Sequence, residues 1–387
     1  MLHKNRMLLL SATALTCLAS CGTEDLSGQS DPLADAGTTV ATPAPTPTPT
    51  PPPVMASSPP PAFGNVEAPL VSSGLNVDSL LNTIPLPKTA QPDVVGAFRF
   101  LCAPSHLSYD DPVVHPGKPG AAHLHQFFGN TKAGANSTYE SLRTSGDSTC
   151  TSILNRSAYW MPALLDGQGS ALVPNWVAVY YKRRPASDVW FANNGNAATI
   201  IPRGLRYVFG NPDNPSAVTF KCLNSSTLVE TKGSMSQALG QCSAGDSFYV
   251  SIKSPDCWDG KNLDSADHRS HMAYEVREGG RNYCPASHPY VIATFTMTVQ
   301  WDVLAGDMPA LWRFSSDMNG AVPGSSFHAD WFGAWEDSVL KTWHENCIDK
   351  LLNCSDGDLG NGTQLKRNPL YPSGKANPRK VPLINIG

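Results

Sequence analysis

Alternation at period two constrains this chain more than any other feature. Ala97-Phe98-Arg99-Phe100-Leu101-Cys102, Trp176–Tyr181, Arg206–Phe209, Phe248–Ile252 and Tyr290–Asp302 are rich in aromatic and β-branched residues. Gly, Pro, Asn and Asp separate them. Successive side chains of a strand point to opposite faces, so each run can bury one face of a sheet. The chain therefore reads as mainly β, an antiparallel β-sandwich or jelly-roll-like domain with long loops. One C-terminal helix is expected, because Trp331, Trp335, Val339, Trp343 and Cys347 recur at near-helical spacing. This Trp stripe reads as core packing onto a sheet. Asp330 is expected to cap that helix, with His328 at its positive end.

The N-terminus predicts export. Lys4 and Arg6 precede the apolar stretch Met7–Leu18, which is too short to span a bilayer and has the form of a secretory signal. It runs into Leu18-Ala19-Ser20-Cys21, which fits a bacterial lipobox, so residues 1–20 read as a lipoprotein signal and Cys21 as the lipid-attachment site. Residues 21–93 read as a linker, with a Pro/Thr-rich middle that favours extended polyproline II structure and a short helix at Val77–Asn82. Residues 94–366 read as one globular domain and 367–387 as a tail. The expected location is the bacterial cell envelope, with the membrane as a partner through the lipid. Removing the signal leaves 26 basic against 32 acidic residues, a net charge of −6. That argues against nucleic acid. The absence of a Walker A loop, of Gly-x-Gly-x-x-Gly after a strand and of Gly-x-Ser-x-Gly removes support for nucleotide binding and for a serine nucleophile.

Eight cysteines remain beyond Cys17 and Cys21, none in a Cys-x-x-Cys pair. In an exported chain they predict four disulfides. Short loop closures favour Cys222–Cys242, Cys257–Cys284 and Cys347–Cys354, leaving Cys102–Cys150.

The chemistry lies in the histidine segments. In His123-Leu124-His125-Gln126-Phe127-Phe128-Gly129-Asn130 the two histidines alternate with Leu124 and Gln126. On a strand they share one face with Cα atoms ~6.6 Å apart, close enough for both imidazoles to reach one metal ion. A catalytic site needs a third ligand. His271, His288 and His328 are candidates, for a divalent transition metal such as zinc or copper. Asp330, Asp267 and Glu140 are the candidate catalytic carboxylates. His268 is a candidate orienting group, and His106, His115 and His344 read as bystanders. Three functions follow. The first is a metal-dependent enzyme acting on polysaccharide, envelope or extracellular. The second is a non-catalytic binding or sensing module, in which Trp258, Trp331 and Tyr139 contact glycan and the histidines are structural. The third is a metal-free acid–base enzyme.

Several blocks together carry a resemblance. They are Asp111-Pro112-Val113-Val114, His123–Asn130, Asn136–Leu142, Ser157–Ala163, Cys257-Trp258-Asp259-Gly260, His271-Met272-Ala273-Tyr274, Cys284-Pro285, His288-Pro289 and His328-Ala329-Asp330-Trp331. The chain resembles, over most of Gly96–Gly362, the family called domain of unknown function 1996. Its members are exported proteins of fungi and bacteria, and some fungal members resemble cell-wall proteins. The resemblance implies that the histidine segments are motif blocks sharing one site. It implies no reaction.

Overall fold

Eleven strands build the two sheets that position the site: β1 (Gly96–Cys102), β2 (Pro104–Ser108), β3 (His125–Gly129), β4 (Ala158–Pro162), β5 (Trp176–Arg183), β6 (Arg206–Gly210), β7 (Val218–Leu223), β8 (Glu230–Gly233), β9 (Ser247–Lys253), β10 (Thr294–Asp302) and β11 (His328–Phe332). The computed structural model describes residues 66–83, 91–317, 320–369 and 378–386, all within one compact unit, 54–387. The signal segment, Cys21 and the Pro/Thr-rich stretch lie outside the described residues. No helix among the described residues is long and apolar enough to cross a membrane.

The larger sheet has the order β8-β7-β9-β10-β5-β1, extended by the short strands Leu352–Cys354 and Gln91–Pro92. The smaller has the order β6-β11-β4-β3-β2 and is antiparallel throughout. Period-two alternation determines which residues meet between them. On β10, Phe295, Met297, Val299 and Trp301 are buried while Thr294, Thr296, Thr298, Gln300 and Asp302 face outward. Phe128, Tyr159, Tyr207 and Trp331 of the smaller sheet meet this face, with Trp331 5.5 Å from Phe295 and Phe100 6.0 Å from Tyr159 between ring centroids. Each such side chain stabilises the fold by about 1.5–3 kcal/mol through burial. The expected β-sandwich, with its four disulfides, is what the chain adopts, and the pairs are Cys102–Cys150, Cys222–Cys242, Cys257–Cys284 and Cys347–Cys354.

The smaller sheet is buried on both faces. Its outer face carries Phe127, Trp160, Val208 and Phe332, covered by Val113, Ala133, Tyr139 and Leu142. The last two belong to α1 (Tyr139–Thr144), capped by Thr138, whose side chain accepts from the Ser141 N–H. This second layer turns β3 from a half-exposed strand into one with all five residues buried.

Local expectations differ at three places. The C-terminal helix is shorter: α2 spans Asp337–Trp343 and ends in a π-type turn at His344–Ile348. Trp331 and Asp330 lie inside β11, whose backbone pairs with β6 on one side and β4 on the other, so Asp330 caps no helix and His328 is at no helix end. Sheet pairing on both edges overrides the helical spacing of the Trp residues. At Val77–Asn82 a single 3-10 turn, Asp78–Leu80, leads into a strand pairing with Thr363–Leu365. A stretch that short does not sustain an α-helix without tertiary support. The packed region also reaches outward of 94–366: Val66, Leu75, Val77, Leu80 and Leu81 lie against the core, and Lys380–Pro382 pairs with Ser170–Leu172.

Candidate metal centre

On the outer face of the smaller sheet, polar groups interrupt the apolar layer at one end. His125 lies on β3, while His328 and Asp330 lie on β11. His123, just before β3, projects on the same side as His125. Ring centroids are 4.2 Å apart for His123 and His125, 5.1 Å for His123 and His328, and 6.1 Å for His125 and His328. One ligand atom from each of these histidines lies within 4.8 Å of the others. Asp111, His125 and Asp330 meet the same criterion, so the two triads share His125.

Hydrogen bonds decide which nitrogen is available. His125 Nδ1 is 2.9 Å from the Asp110 carbonyl, and His328 Nδ1 is 2.8 Å from the Ser326 carbonyl. A carbonyl only accepts, so each Nδ1 carries the proton and each Nε2 the lone pair. The Nε2 atoms of His123 and His125 and both oxygens of Asp330 are buried and find no hydrogen-bond partner among the described residues. His328 Nε2 stands 3.6 Å from Asp330 Oδ2, outside hydrogen-bond range. Lone pairs and a carboxylate thus converge in a desolvated space. That is unfavourable unless a proton or cation lies among them.

The electrostatics agree. Burial lowers His123 to about 4, aided by His115, and lowers His328 to about 3, aided by His123. Burial and the neighbouring His123 and His328 hold His125 well below its ordinary value. All three are neutral at pH 7, the form that ligates a metal. Burial, then the charge of Asp111, pushes Asp330 well above the usual carboxylate range. Burial also raises Asp111, although its Oδ1 accepts the Val113 and Val114 N–H groups at 2.8 Å each.

The remaining candidates lie elsewhere. His271 has Nδ1 2.8 Å from Ser265 Oγ and Nε2 2.9 Å from the Arg206 carbonyl. His288 has Nδ1 2.8 Å from Ser287 Oγ and Nε2 2.9 Å from the Ser270 carbonyl. With both ring nitrogens engaged, neither offers a lone pair, and neither joins the cluster. Asp267 closes a turn, accepting from the N–H groups of Ser270 and Arg269 and from the Ser270 hydroxyl. These bonds, led by the Ser270 N–H, hold its carboxyl well below the ordinary range. Glu140 is exposed in the first turn of α1. His268 pairs with Asp264 at 2.9 Å. Trp258 and Trp331 are fully buried and Tyr139 is 8% exposed, so none offers a ring face to a glycan. Asp256 lies beside Cys257 and Cys284, but those sulfurs form a disulfide and supply no thiolate.

Two contributors escape the spacing of the sequence. Asp111 reaches the cluster from a loop, and its only signal is its place in the Asp-Pro-Val-Val block. His115, read as a bystander, is near enough for its charge to depress His123. Beyond β6 a cleft of about 650 Å³ opens, lined in part by Asp213, Arg269 and Tyr274. Val208 and Gly210 on its wall are the register partners of Asp330 and His328. Arg269, ion-paired to Asp213 at 2.9 Å, tempers the rise of the Asp330 carboxyl.

These features define a disulfide-braced β-sandwich with a buried histidine–carboxylate cluster on the outer face of its smaller sheet. The chain belongs to the family described as Domain of unknown function (DUF1996), whose model matches residues 111–335. That span begins at Asp111 and contains every residue of the cluster. No curated protein and no solved structure shows significant similarity to the chain.

Proposed function

We propose that His123, His125, His328 and Asp330 hold a divalent transition metal, zinc or copper, and that the domain is a metal-dependent enzyme acting on envelope polysaccharide. The supporting observation is the convergence of unpartnered, buried ligand atoms from two strands, with the tautomers of His125 and His328 set by backbone carbonyls. This is the outer-shell arrangement that metal-bound imidazoles use. His106, His271 and His288 provide an internal contrast, since each has both ring nitrogens hydrogen-bonded. His344 also has a buried, unpartnered Nε2, but it belongs to no group of converging ligands among the described residues.

Three neutral imidazoles and one carboxylate suit zinc or copper better than the oxygen-rich sites of calcium or magnesium. A bound metal would polarise a substrate oxygen or activate water. Asp111, its Oδ1 held by two N–H groups, is placed to hold a proton beside the cluster. The cleft along β6 offers Asp213, Arg269 and Tyr274 to sugar hydroxyls. In the same reading, acylated Cys21 and the Pro/Thr-rich stretch display the domain at a bacterial envelope.

Elemental analysis of the exported domain, purified without chelators or an affinity metal, tests the centre. Close to one equivalent of zinc or copper is expected, lost in His125→Ala with the fold retained by near-UV circular dichroism. Less than about a tenth of an equivalent, with no uptake on metal addition, overturns the reading. Hydrolysis of envelope polysaccharides that chelation abolishes and metal restores would establish the enzyme. Full metal occupancy without such turnover would leave a metal-binding module.

A further inference from the structure

The outward face of the larger sheet, across the core from the histidine cluster, is arranged in three parallel rows. Ala178, Thr298, Ser251 and Thr219 are register partners across β5, β10, β9 and β7, and their small side chains form a floor. Two residues along in one direction, Trp176, Gln300, Tyr249 and Lys221 form a wall. In the other direction, Arg99, Tyr180, Thr296 and Lys253 form the second wall, across β1, β5, β10 and β9. The result is a trough crossing the strands. Its walls stand ~13 Å apart between Cα atoms, and it runs at least ~14 Å across four strands at the usual spacing. At the β1 end, beside Leu101, it deepens into a hollow of about 320 Å³ bordered by Arg99, Trp176 and the ion pair of Arg367 with Asp356 at 2.9 Å.

The chemistry of the walls is specific. Each carries aromatic rings that are only partly buried: Trp176 and Tyr249 on one, 6.1 Å apart, and Tyr180 on the other. Cations accompany them. Lys221 Nζ lies 4.9 Å from the Tyr249 ring centre, Lys182 Nζ 4.8 Å from that of Tyr180, and the Arg99 guanidinium 6.0 Å from the same ring. Arg99 and Lys253 form no ion pair with any described residue, whereas Lys221 is paired with Glu230 at the sheet edge and Lys182 with Asp93 at 3.8 Å. No carboxylate stands in the three rows. The only acid on the outward face of β10 is Asp302, beyond Gln300. On a chain of net charge −4, such a locally cationic face selects for a negative partner.

We propose that this trough binds an extended segment of acidic polysaccharide. Sugar faces stack on Trp176, Tyr249 and Tyr180. Carboxylates meet Arg99 and Lys253, and hydroxyls meet Thr296, Thr298, Ser251 and Gln300. The surface stands apart from the metal cluster and does not depend on it. It provides the exposed rings that Trp258, Trp331 and Tyr139 do not.

Affinity electrophoresis and calorimetry with polygalacturonate and alginate test the proposal, with a neutral β-glucan, duplex DNA and anionic lipid vesicles alongside. The wild-type domain is expected to be retarded by both acidic polysaccharides, less so as salt rises. Trp176→Ala with Tyr249→Ala should weaken binding roughly tenfold or more. Arg99→Gln with Lys253→Gln should remove the preference for acidic over neutral chains. Both pairs are surface changes, and unchanged melting temperatures verify their folding. His125→Ala should bind as wild type does, which separates this site from the metal centre. No retardation of the wild type, equal affinity for neutral glucan, DNA or vesicles, or full binding by the correctly folded double variants overturns the proposal.

Discussion

Asp330→Asn separates a metal ligand from a structural carboxylate. In the metal-free domain Asp330 is buried, without a hydrogen-bond partner, and its carboxyl is pushed well above its ordinary value. Burial therefore favours its neutral form unless a cation replaces the proton. Asn is nearly isosteric with that neutral acid but needs no proton. Below the ordinary carboxylate pKa the stripped variant should therefore match stripped wild type within about 1 kcal/mol. At neutral pH it should be the more stable of the two, because wild type must take up a proton to fold. With metal the two should diverge. At a free metal concentration of about a thousand times Kd, binding stabilises the wild type by roughly 4.1 kcal/mol. Loss of the carboxylate ligand, taken at about a hundredfold in affinity, reduces that gain to about 1.4 kcal/mol. For a domain of this size ~1 kcal/mol moves Tm by about 2 °C, giving a rise of about 8 °C for wild type and about 3 °C for the variant. Scanning calorimetry with and without metal reads both. If stripped Asp330→Asn loses about 3–5 kcal/mol, an ionised, paired carboxylate was removed and the reasoning fails. An unchanged metal-induced rise refutes it equally. The pH dependence gives a further check. A carboxyl whose folded pKa is raised contributes stability that is complete below its unfolded pKa and is lost as pH rises through the folded value. That component should be present in stripped wild type and absent from the variant.

Gly129→Ala should be strongly destabilising, because Gly129 has φ +82° and an added Cβ would lie 2.1 Å from the Ser157 carbonyl oxygen. A loss of about 3 kcal/mol or more in denaturant unfolding is expected, and a loss below about 1 kcal/mol would contradict the fit of β3 to its neighbour. His344 is fully buried, its Nδ1 donates to the Leu340 carbonyl, and burial lowers it to about 3. The unfolded chain takes up this proton near pH 6.5 and the folded chain only near 3, so stability should fall as pH drops through that window, by several kcal/mol at full effect. In His344→Gln that part of the acid sensitivity should disappear from pH-dependent urea unfolding, and an unchanged slope would count against it.

The histidine motif shows where sequence reasoning reaches its limit. Alternation placed His123 and His125 on one face before any fold was known, because side-chain direction on a strand depends only on parity. Whether that face met water or a second layer was not legible. It depends on α1 and the 109–124 loop folding over β3, a packing of segments with no local pattern in common. His271, His288 and His328 looked equivalent as ligands, each lying in a short polar block. Only hydrogen bonding separates them: both nitrogens of His271 and His288 are engaged, while His328 turns Nε2 toward Asp330. The Trp331 to Cys347 stripe marks core residues and a helix over its later part, but overreaches at its start for a related reason. Its spacing suits a helix, but two sheet neighbours claim the backbone of residues 328–332.

The amino-acid sequence by itself determined the β class, four strands of the larger sheet and one of the smaller, the four cysteine pairs, and His123 and His125 as ligands sharing one face. These follow from local rules, namely parity along a strand, short loop closure and side-chain chemistry. Tertiary structure alone decided that β3 and β11 lie one strand apart in the same sheet, that Asp111 joins them from a loop, and that Trp176, Tyr249 and Tyr180 line a trough. Those depend on register between strands distant in the chain, which cooperative packing of the whole core selects.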